Sequence, residues 1–137
     1  MSETYQGATI INQAVEAVAG LINALGLFAD IHRGALGTGD DLCCEVGPTY
    51  PEAVFLDKNK YIPVDLTING KHTDLQTLSE ALNKIHESLT MRRTYPSGTS
   101  WQIVDITTAT EPQKIERESE GAWIMASSLT VKVSTNL

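Results

Sequence analysis

The sequence predicts an α+β fold, a two-layer sandwich in which two helices pack on one face of a mainly antiparallel sheet. Apolar residues alternate with other residues in 62–68 and 123–133, as in strands with one buried face. They recur at three- and four-residue steps in 10–25 and 75–89, as in helices with one apolar stripe. The order is helix, two or three strands, helix and two strands, which favours helices on one side of an antiparallel sheet.

The length and charge of the chain narrow its class. We expect its 137 residues to form a single domain with its own core, in which residues 1–7 are a flexible N-terminal segment. A net charge of −7 argues against a surface that binds duplex DNA. The longest uncharged run, residues 17–29, is shorter than the ~20 residues that span a bilayer, and no basic stretch resembling a signal peptide is present. We therefore expect a soluble protein.

The first predicted helix spans residues 8–25. Gly20 lowers helix stability by about 1 kcal/mol relative to alanine, so we interpret it as a point of close packing against another element. Gly26 is a candidate C-cap glycine, and residues 27–28 are an alternative extension of the helix by one turn. The apolar stripe consists of Ile10, Ile11, Ala14, Val15, Val18, Leu21, Ile22 and Leu25.

Residues 34–41 form a glycine-rich segment after this helix. A phosphate-binding loop follows a strand, precedes a helix and carries Gly-Lys-Ser/Thr, whereas this segment precedes a predicted strand and carries two aspartates. We therefore expect a flexible surface loop. A short strand is predicted next, at residues 42–46. The adjacent Cys43 and Cys44 point to opposite faces of such a strand, so a disulfide between them would be strained, and we expect one buried thiol in a reducing compartment.

The middle of the chain is predicted as strand, turn and helix. Residues 51–56 form or lead into a strand, and the polar residues 57–60 form a hairpin turn into the strand at 61–68. Pro63 lacks a ladder donor, which indicates an edge position or a bulge. Asn69-Gly70 has turn chemistry, and Thr73 with Gln76 forms a predicted capping box for the helix at 74–89.

The last third of the chain is predicted as two strands joined by a long loop. In the strand at 101–108, Trp101 and Ile103 lie on one face, and Val104 and Ile106 on the other. Residues 110–121 are charged and irregular around Pro112, and a final strand follows at 122–134. The residues predicted to anchor the core are Leu66, Leu78, Leu82, Ile85, Leu129 and Val131.

No motif in the sequence carries catalytic or metal-binding chemistry. His72, Asp74 and His86 are the histidine and carboxylate grouping that could be tested as a metal site. His86 lies about three turns along the helix, however, and at a rise of ~1.5 Å per residue this is too far for it to share a metal ion with the other two. The serines lack the Gly-x-Ser-x-Gly elbow. We therefore expect no catalytic, cofactor-binding or metal-binding residues and a protein that is not an enzyme. Trp101 and Trp123 are expected to anchor the core or a subunit interface.

Five blocks of the sequence, taken in order, resemble a known family. They are residues 57–72 (Asp-Lys-Asn-Lys-Tyr-Ile-Pro-Val-Asp-Leu-Thr-Ile-Asn-Gly-Lys-His), 85–89 (Ile-His-Glu-Ser-Leu), 101–106 (Trp-Gln-Ile-Val-Asp-Ile), Pro112-Gln113, and 121–131 (Gly-Ala-Trp-Ile-Met-Ala-Ser-Ser-Leu-Thr-Val). This ordering resembles the minor capsid proteins of long-tailed bacteriophages of Gram-positive hosts, a group similar to tail terminators. The resemblance covers roughly residues 8–133.

The resemblance implies a structural virion protein of the tail or neck, assembled in the host cytoplasm. Tail terminators form a ring, here expected to be a hexamer, that caps the tail tube, contacts the head-completion or connector protein and lets DNA pass without specific binding. We also expect that the protein needs no cofactor and does not associate with a membrane. Loops placed by a rigid scaffold carry binding function. The candidate contact residues are Gly34, Leu36, Gly37, Thr38, Gly39, Asp40, Asp41, Glu111, Pro112, Gln113, Lys114, Glu116, Arg117, Glu118 and Glu120.

Two other classes of function stay open at this point. One is a tail-assembly adaptor or chaperone that never enters the particle. The other is a small cytosolic enzyme whose site is assembled from residues too far apart in sequence to form a motif.

Overall fold

A computed structural model describes residues 6–47, 60–99, 101–117 and 121–135. Five strands form one sheet in the order β1-β2-β3-β5-β4, and all neighbours are antiparallel except β1 and β2, which are parallel. The predicted α+β class is confirmed. The elements are α1 (Gln6–Asn23), β1 (Ile31–Arg33), β2 (Asp41–Val46), β3 (Lys60–His72), α2 (Leu75–Thr90), β4 (Trp101–Arg117) and β5 (Trp123–Thr135).

The core lies between the two helices and one face of the sheet. Both helices contribute to one hydrophobic cluster with alternate residues of β2, β3 and β5, so they cover the same face. The opposite face carries polar residues such as Asp65 and Lys132, which are exposed. The residues predicted to anchor the core are all buried, namely Leu66, Leu78, Leu82, Ile85, Leu129 and Val131.

Helix α1 begins at Gln6, so two residues of the segment expected to be flexible are helical, and residues 1–5 lie outside the described residues. Gly26 has a φ of +70° after the helix end, as a C-terminal glycine requires, and residues 27–28 do not extend the helix. The suggested role of Gly20 is wrong. This residue is exposed, and a Cβ added there would meet nothing within 4 Å.

Strand β1 has no counterpart in the sequence prediction. It is only three residues long, which is too short for an alternating pattern to be recognised. The backbone N–H of Ile31 donates to Oδ1 of Asn23 at 2.7 Å, and Asn23 is the last residue of α1. The end of the helix therefore occupies a donor on the outer edge of β1.

Strand β3 runs straight through Asn69 and Gly70, so the predicted turn at these residues is wrong. Gly70 is buried and faces α2. A Cβ added there would lie 2.6 Å from Cδ1 of Leu78 and 3.1 Å from Cδ2 of Leu42. The glycine therefore serves close packing of the helix against the strand. Its φ is not positive, so a turn conformation does not explain it.

The N-terminus of α2 differs from the predicted capping box. The N-cap residue is Asp74, in an extended conformation, and not Thr73. The hydroxyl of Thr77 donates to the Asp74 carboxylate at 2.6 Å, and this bond lowers the pKa of Asp74. An aspartate at this position also interacts favourably with the helix dipole.

Pro63 lies in the centre of the sheet, yet it interrupts no ladder bond. The carbonyl of Asp65 accepts the N–H of Gly47 at 2.8 Å, so Asp65 faces β2, and Pro63, two residues earlier, faces the same side. Strand β2 pairs with β3 only as far as Leu66, so among the described residues Pro63 has no neighbour on that side. Within the described part of the sheet, Pro63 is therefore at a local edge, one of the two predicted alternatives.

Strand β4 is twice as long as predicted and changes register with β5 several times. One shift falls between Ile103 and Asp105, which leaves Val104 as an extra residue, 39% exposed. Ile106 consequently points into the core with Ile103 and is 1% exposed. The prediction that Ile106 lies on the opposite face is therefore wrong, because a bulge resets the alternation on which it depends.

Both cysteines are buried and free, although only one buried thiol was expected. Cys44 lies in the helix-covered core, and burial raises the pKa of its thiol to about 11. Cys43 lies on the opposite face and is hydrogen-bonded to Asn69, and burial raises its pKa as well. At neutral pH both are therefore thiols, the unreactive form.

His86 on α2 is a buried histidine in a polar arrangement that is only half satisfied. Its Nδ1 lies 2.8 Å from the hydroxyl of Thr108, whereas its Nε2 has no partner within the described residues. Burial lowers the pKa of His86 below the ordinary value of 6.5, although the carboxylate of Glu111 acts in the opposite direction. The neutral ring is therefore the form that the fold accommodates.

This predicts a loss of stability in mild acid. The unfolded chain binds a proton at His86 near pH 6.5, and the folded chain binds it only at lower pH, so the free energy of unfolding should fall as pH drops from 6.5 through the folded pKa. His86→Asn keeps a polar group near Thr108 but does not titrate. Urea titrations between about pH 7 and pH 5 should show a smaller decrease for the variant than for the wild type. Parallel decreases would contradict the prediction.

Candidate functional site

Residues 34–40, the first candidate contact segment, connect β1 to β2. Because these two strands are parallel neighbours, the loop must return along the length of β1 before β2 can begin. Gly34 and Gly39 have φ values of +116° and +75°, which L-residues with side chains rarely adopt, and these two positions reverse the chain. The predicted loop therefore exists, but its last residue, Asp41, is the first residue of β2.

The middle of this loop is held from both sides at Gly37. Its N–H donates to Oδ2 of Asp41 at 2.7 Å, and its carbonyl accepts a bond from Nζ of Lys71 at 2.8 Å. Asp41 and Lys71 are opposite each other in the β2–β3 register, on the face away from the helices. The segment that was expected to be flexible is thus fixed to the sheet by two oppositely charged side chains.

Each of the two loop aspartates also faces a histidine. Nε2 of His32 lies 2.7 Å from Oδ2 of Asp41, and Nε2 of His72 lies 3.3 Å from Oδ2 of Asp40. Burial acts to raise the pKa of Asp41, but hydrogen bonds from His32 and from the Gly37 and Leu42 amides outweigh it and hold the pKa below its usual value. Asp41 is therefore a carboxylate at neutral pH and an acceptor only.

The second candidate segment, residues 111–117, is part of strand β4 and not of a loop. The prediction failed because Pro112 and four charged residues are typical of loops, whereas an edge strand with several register shifts tolerates both. Glu111, Gln113, Lys114, Glu116 and Arg117 are exposed, as is Ile115, at 57%. Glu118 and Glu120, also predicted as contacts, lie outside the described residues.

Two cations of this segment lie over the ring of Trp123. Nζ of Lys114 is 5.2 Å, and Cζ of Arg117 is 4.7 Å, from the centroid of the indole. Such contacts are worth about 0.5–1 kcal/mol at exposed sites. Trp123 is half-buried, whereas Trp101 is buried, with its Nε1–H donating to Oε1 of Gln13 on α1 at 2.8 Å. Trp101 is thus a core anchor, and Trp123 lies at the boundary of the core.

The sheet brings the two candidate segments to the same end of the molecule. Asp41 pairs with Lys71, Lys71 with Ile124, and Ile124 with Glu116, so these residues lie in one row across β2, β3, β5 and β4. Three strand spacings separate β2 from β4, or about 14 Å. We name this surface the loop end: residues 34–41 and 113–117, together with His32 and His72, which face Asp41 and Asp40. Sequence reasoning named both segments but could not place them together.

The loop end combines charged side chains with an apolar one, a mixture that suits contact with a partner protein. It contains carboxylates, imidazoles, two cations and an exposed isoleucine. In the parts of the chain that the structure describes, no three residues of the histidine, cysteine and carboxylate types are placed to hold a metal ion. No helix among the same residues is long and apolar enough to cross a membrane.

Sequence reasoning missed a cleft near the opposite end of β4. This cleft has a volume of about 590 Å³ and lies between the end of α2 and the first residues of β4, and Arg92, Arg93 and Asp105 are among the residues that line it. Met91 beside it is the most exposed of the large hydrophobic residues in the described chain. The adjacent arginines were the available signal, but they are equally expected at the C-terminal end of any helix.

The comparisons with known proteins give structural likenesses but no match at the level of sequence. No protein-family model matches the sequence, and no curated protein matches it. Among solved structures, the fold is similar to that of a chain in the virion of a native gene transfer agent particle, with a TM-score of 0.60 and 14% sequence identity. The match covers 96% of this chain and 99% of that chain. At this identity the likeness shows that the two chains share a fold over almost their whole lengths.

Proposed function

We propose that this protein is a structural subunit of a phage-type virion. The observation that carries the proposal is the shared fold with a chain of a gene transfer agent virion, because the match covers almost the whole of both chains. The order of sequence blocks that resembles phage minor capsid proteins supports the same class independently of the fold comparison.

Within the virion, we assign the chain the role of a tail terminator. Its copies form a ring, which we expect to contain six subunits, at the head-proximal end of the tail. One side of the ring caps the tail tube, and the other contacts the head-completion or connector protein. The loop end supports this assignment because it presents two contact segments from distant parts of the sequence on one side of the subunit.

The charge of the chain agrees with a ring through which DNA moves. A net charge of −7 per subunit is multiplied around the ring, so the ring as a whole carries a negative charge, which repels phosphates. Fixed cations in a channel would slow the passage of DNA. DNA is therefore cargo in this proposal and not a binding partner.

Imaging of intact particles tests the assignment. Cryo-electron microscopy of particles that carry a tagged copy of this chain should show several copies in a ring at the head-proximal end of the tail. Mass spectrometry of purified particles should detect the chain in proportion to that ring. A single copy per tail end would contradict the ring. Absence from purified particles, with the chain present in the infected cell, would favour the assembly adaptor or chaperone instead.

Matched variants test the role of the loop end. Thr38→Arg places a cation on the exposed tip of the loop, and Asn83→Arg places the same side chain on the exposed face of α2. Both residues are exposed, so each change should alter stability by less than about 0.5 kcal/mol. We expect Thr38→Arg to lower incorporation into particles several-fold and Asn83→Arg to leave it unchanged. Equal incorporation of the two variants would remove residues 34–41 from the contact surface.

A further inference from the structure

His32 has a hydrogen-bond environment that only its protonated form satisfies. Its Nε2 lies 2.7 Å from Oδ2 of Asp41, and its Nδ1 lies 3.3 Å from the carbonyl oxygen of Arg33. Both partners are acceptors. A neutral imidazole carries a single N–H and can donate to one of them, whereas the imidazolium carries two and donates to both.

His72, the other histidine of the loop end, has the opposite arrangement. Its Nδ1 accepts the backbone N–H of Asp74 at 2.9 Å, and its Nε2 faces Oδ2 of Asp40 at 3.3 Å. The neutral ring with its proton on Nε2 satisfies both contacts. Protonation of Nδ1 would remove the acceptor for the Asp74 amide. The two histidines therefore differ in the hydrogen bonds that their Nδ1 atoms make, and His72 provides an internal comparison.

A single oxygen atom, Oδ2 of Asp41, connects His32 to the loop. Oδ2 of Asp41 accepts both from His32 and from the N–H of Gly37, each at 2.7 Å. An imidazolium at His32 attracts this carboxylate through a charge-assisted hydrogen bond and holds it in position for the Gly37 contact. Neutral His32 has no positive charge to attract Asp41. It can also donate only one of its two hydrogen bonds.

The other charged and titratable groups around His32 do not replace it. Lys71 on β3 is opposite Asp41 and donates to the carbonyl oxygen of Gly37. The N–H of Gly37 donates to Asp41 instead. Arg33 directs its guanidinium to α1, where it donates to Asn12 and lies 4.0 Å from Glu16. Cys43, the register partner of His32 on β2, is a thiol whose pKa is raised by burial. Asp40 faces His72.

We propose that His32 is a pH-dependent latch of residues 34–40: its imidazolium form fixes Asp41 and thereby Gly37, and its deprotonation loosens the loop. The hydrogen bond to Asp41 and the carbonyl of Arg33 raise the pKa of His32 above 6.5. The latch is therefore fully engaged below pH 6.5 and loosens as pH rises through that higher value. Its consequence for assembly, a contact loop whose order depends on pH, rests on the function proposed above.

Nuclear magnetic resonance of the full-length protein tests the latch. The amide signal of Gly37 should titrate with the same midpoint as the ring of His32, above pH 6.5. After correction for the intrinsic exchange rate, protection of the Gly37 amide should fall roughly two- to five-fold across the transition, the range expected of an exposed charge pair. A Gly37 signal that does not follow His32 would overturn the proposal.

Three variants identify the residues of the latch. His32→Gln keeps a neutral donor toward Asp41 and should abolish the titration of Gly37. Asp41→Asn keeps an acceptor for Gly37 and should lower the midpoint of His32 toward 6.5, the ordinary value for histidine. His72→Gln is the matched control and should leave the Gly37 titration intact. A titration that survives in His32→Gln, or one that disappears in His72→Gln, would overturn the proposal, provided that thermal melting shows each variant to be folded.

The latch and the proposed function can fail separately. Failure of the Gly37 titration overturns the latch whether or not the chain is found in virions. Absence of the wild-type chain from purified particles overturns the proposed function, but it leaves the titration of the isolated protein unaffected. Particles assembled at pH values on either side of the midpoint should differ in incorporation of the wild type but not of His32→Gln. Equal pH dependence of the two would exclude a role of the latch in assembly.

Discussion

Replacement of Leu82 by alanine should lower the free energy of unfolding by about 2–5 kcal/mol, the range observed for buried leucines. Leu82 is in the middle of the apolar stripe of α2 and is 0% exposed. Deletion of its side chain removes apolar contacts and leaves a cavity between the helix and β3. Because whole domains are stable by only roughly 5–15 kcal/mol, this loss is a large fraction of the total.

Urea denaturation of the wild type and the Leu82→Ala variant measures this loss as a lower midpoint at similar slope. Lys84→Ala is the control on the same helix, because Lys84 is exposed and alanine is at least as good a helix former. We expect the control to change stability by less than about 0.5 kcal/mol. An unchanged midpoint for Leu82→Ala would mean that the stripe of α2 does not face the core.

Replacement of Gly70 by alanine should have the second largest effect, a loss of about 1–3 kcal/mol, which is typical of an overpacked core. The added methyl group would lie 2.6 Å from Cδ1 of Leu78, closer than carbon atoms can approach. Leu78 and Leu42 are both fully buried, so a shift of either side chain must displace its neighbours in a close-packed core. The strain must therefore separate α2 from β3.

Two further variants show whether the contact with Leu78 is the cause. Gly20→Ala adds the same methyl group in open space on an exposed helix position, so it should stabilise the protein by about 0.5–1 kcal/mol. In a Leu78→Ala background the clash is absent, so Gly70→Ala should then cost less than it does in the wild type. Equal losses in the two backgrounds would show that the glycine is needed for another reason.

The parts of the fold that were predicted from the sequence are those in which burial alone determines the residue type. The apolar stripe of α2 continues for several helical turns, and the alternation of apolar residues in β5 continues along the strand. Each pattern therefore identifies the type of secondary structure and the face of it that is buried. Strand β1 was missed because its three residues contain too few positions for a pattern. Gly70 was misassigned because the sequence does not distinguish a glycine in a turn from a glycine that packs beneath a helix. Only the close approach of Leu78 shows which of the two it is.

The candidate site was predicted in part, for a physical reason that concerns strand order. Residues 34–41 and 111–117 are separated by about half of the chain, and their meeting at one end depends on the order β2-β3-β5-β4 and on the register of each pair. Neither order nor register is encoded in a local pattern. The latch at His32 was missed as well, because its meaning lies in the two acceptors that face the ring and not in the residues beside it in sequence.

The two edges of the sheet are unequal, and this inequality limits how copies of the chain can associate. The outer edge of β1 is three residues long, and its Ile31 N–H is already bonded to Asn23, whereas β4 is an edge strand of 17 residues. Growth of a continuous sheet from one molecule to the next requires two open edges that fit each other. Because the β1 edge is short and partly occupied, pairing of β4 of one copy with β1 of the next is disfavoured. Open-ended polymerisation through both edges is therefore disfavoured, because it needs the β1 edge as well as the β4 edge.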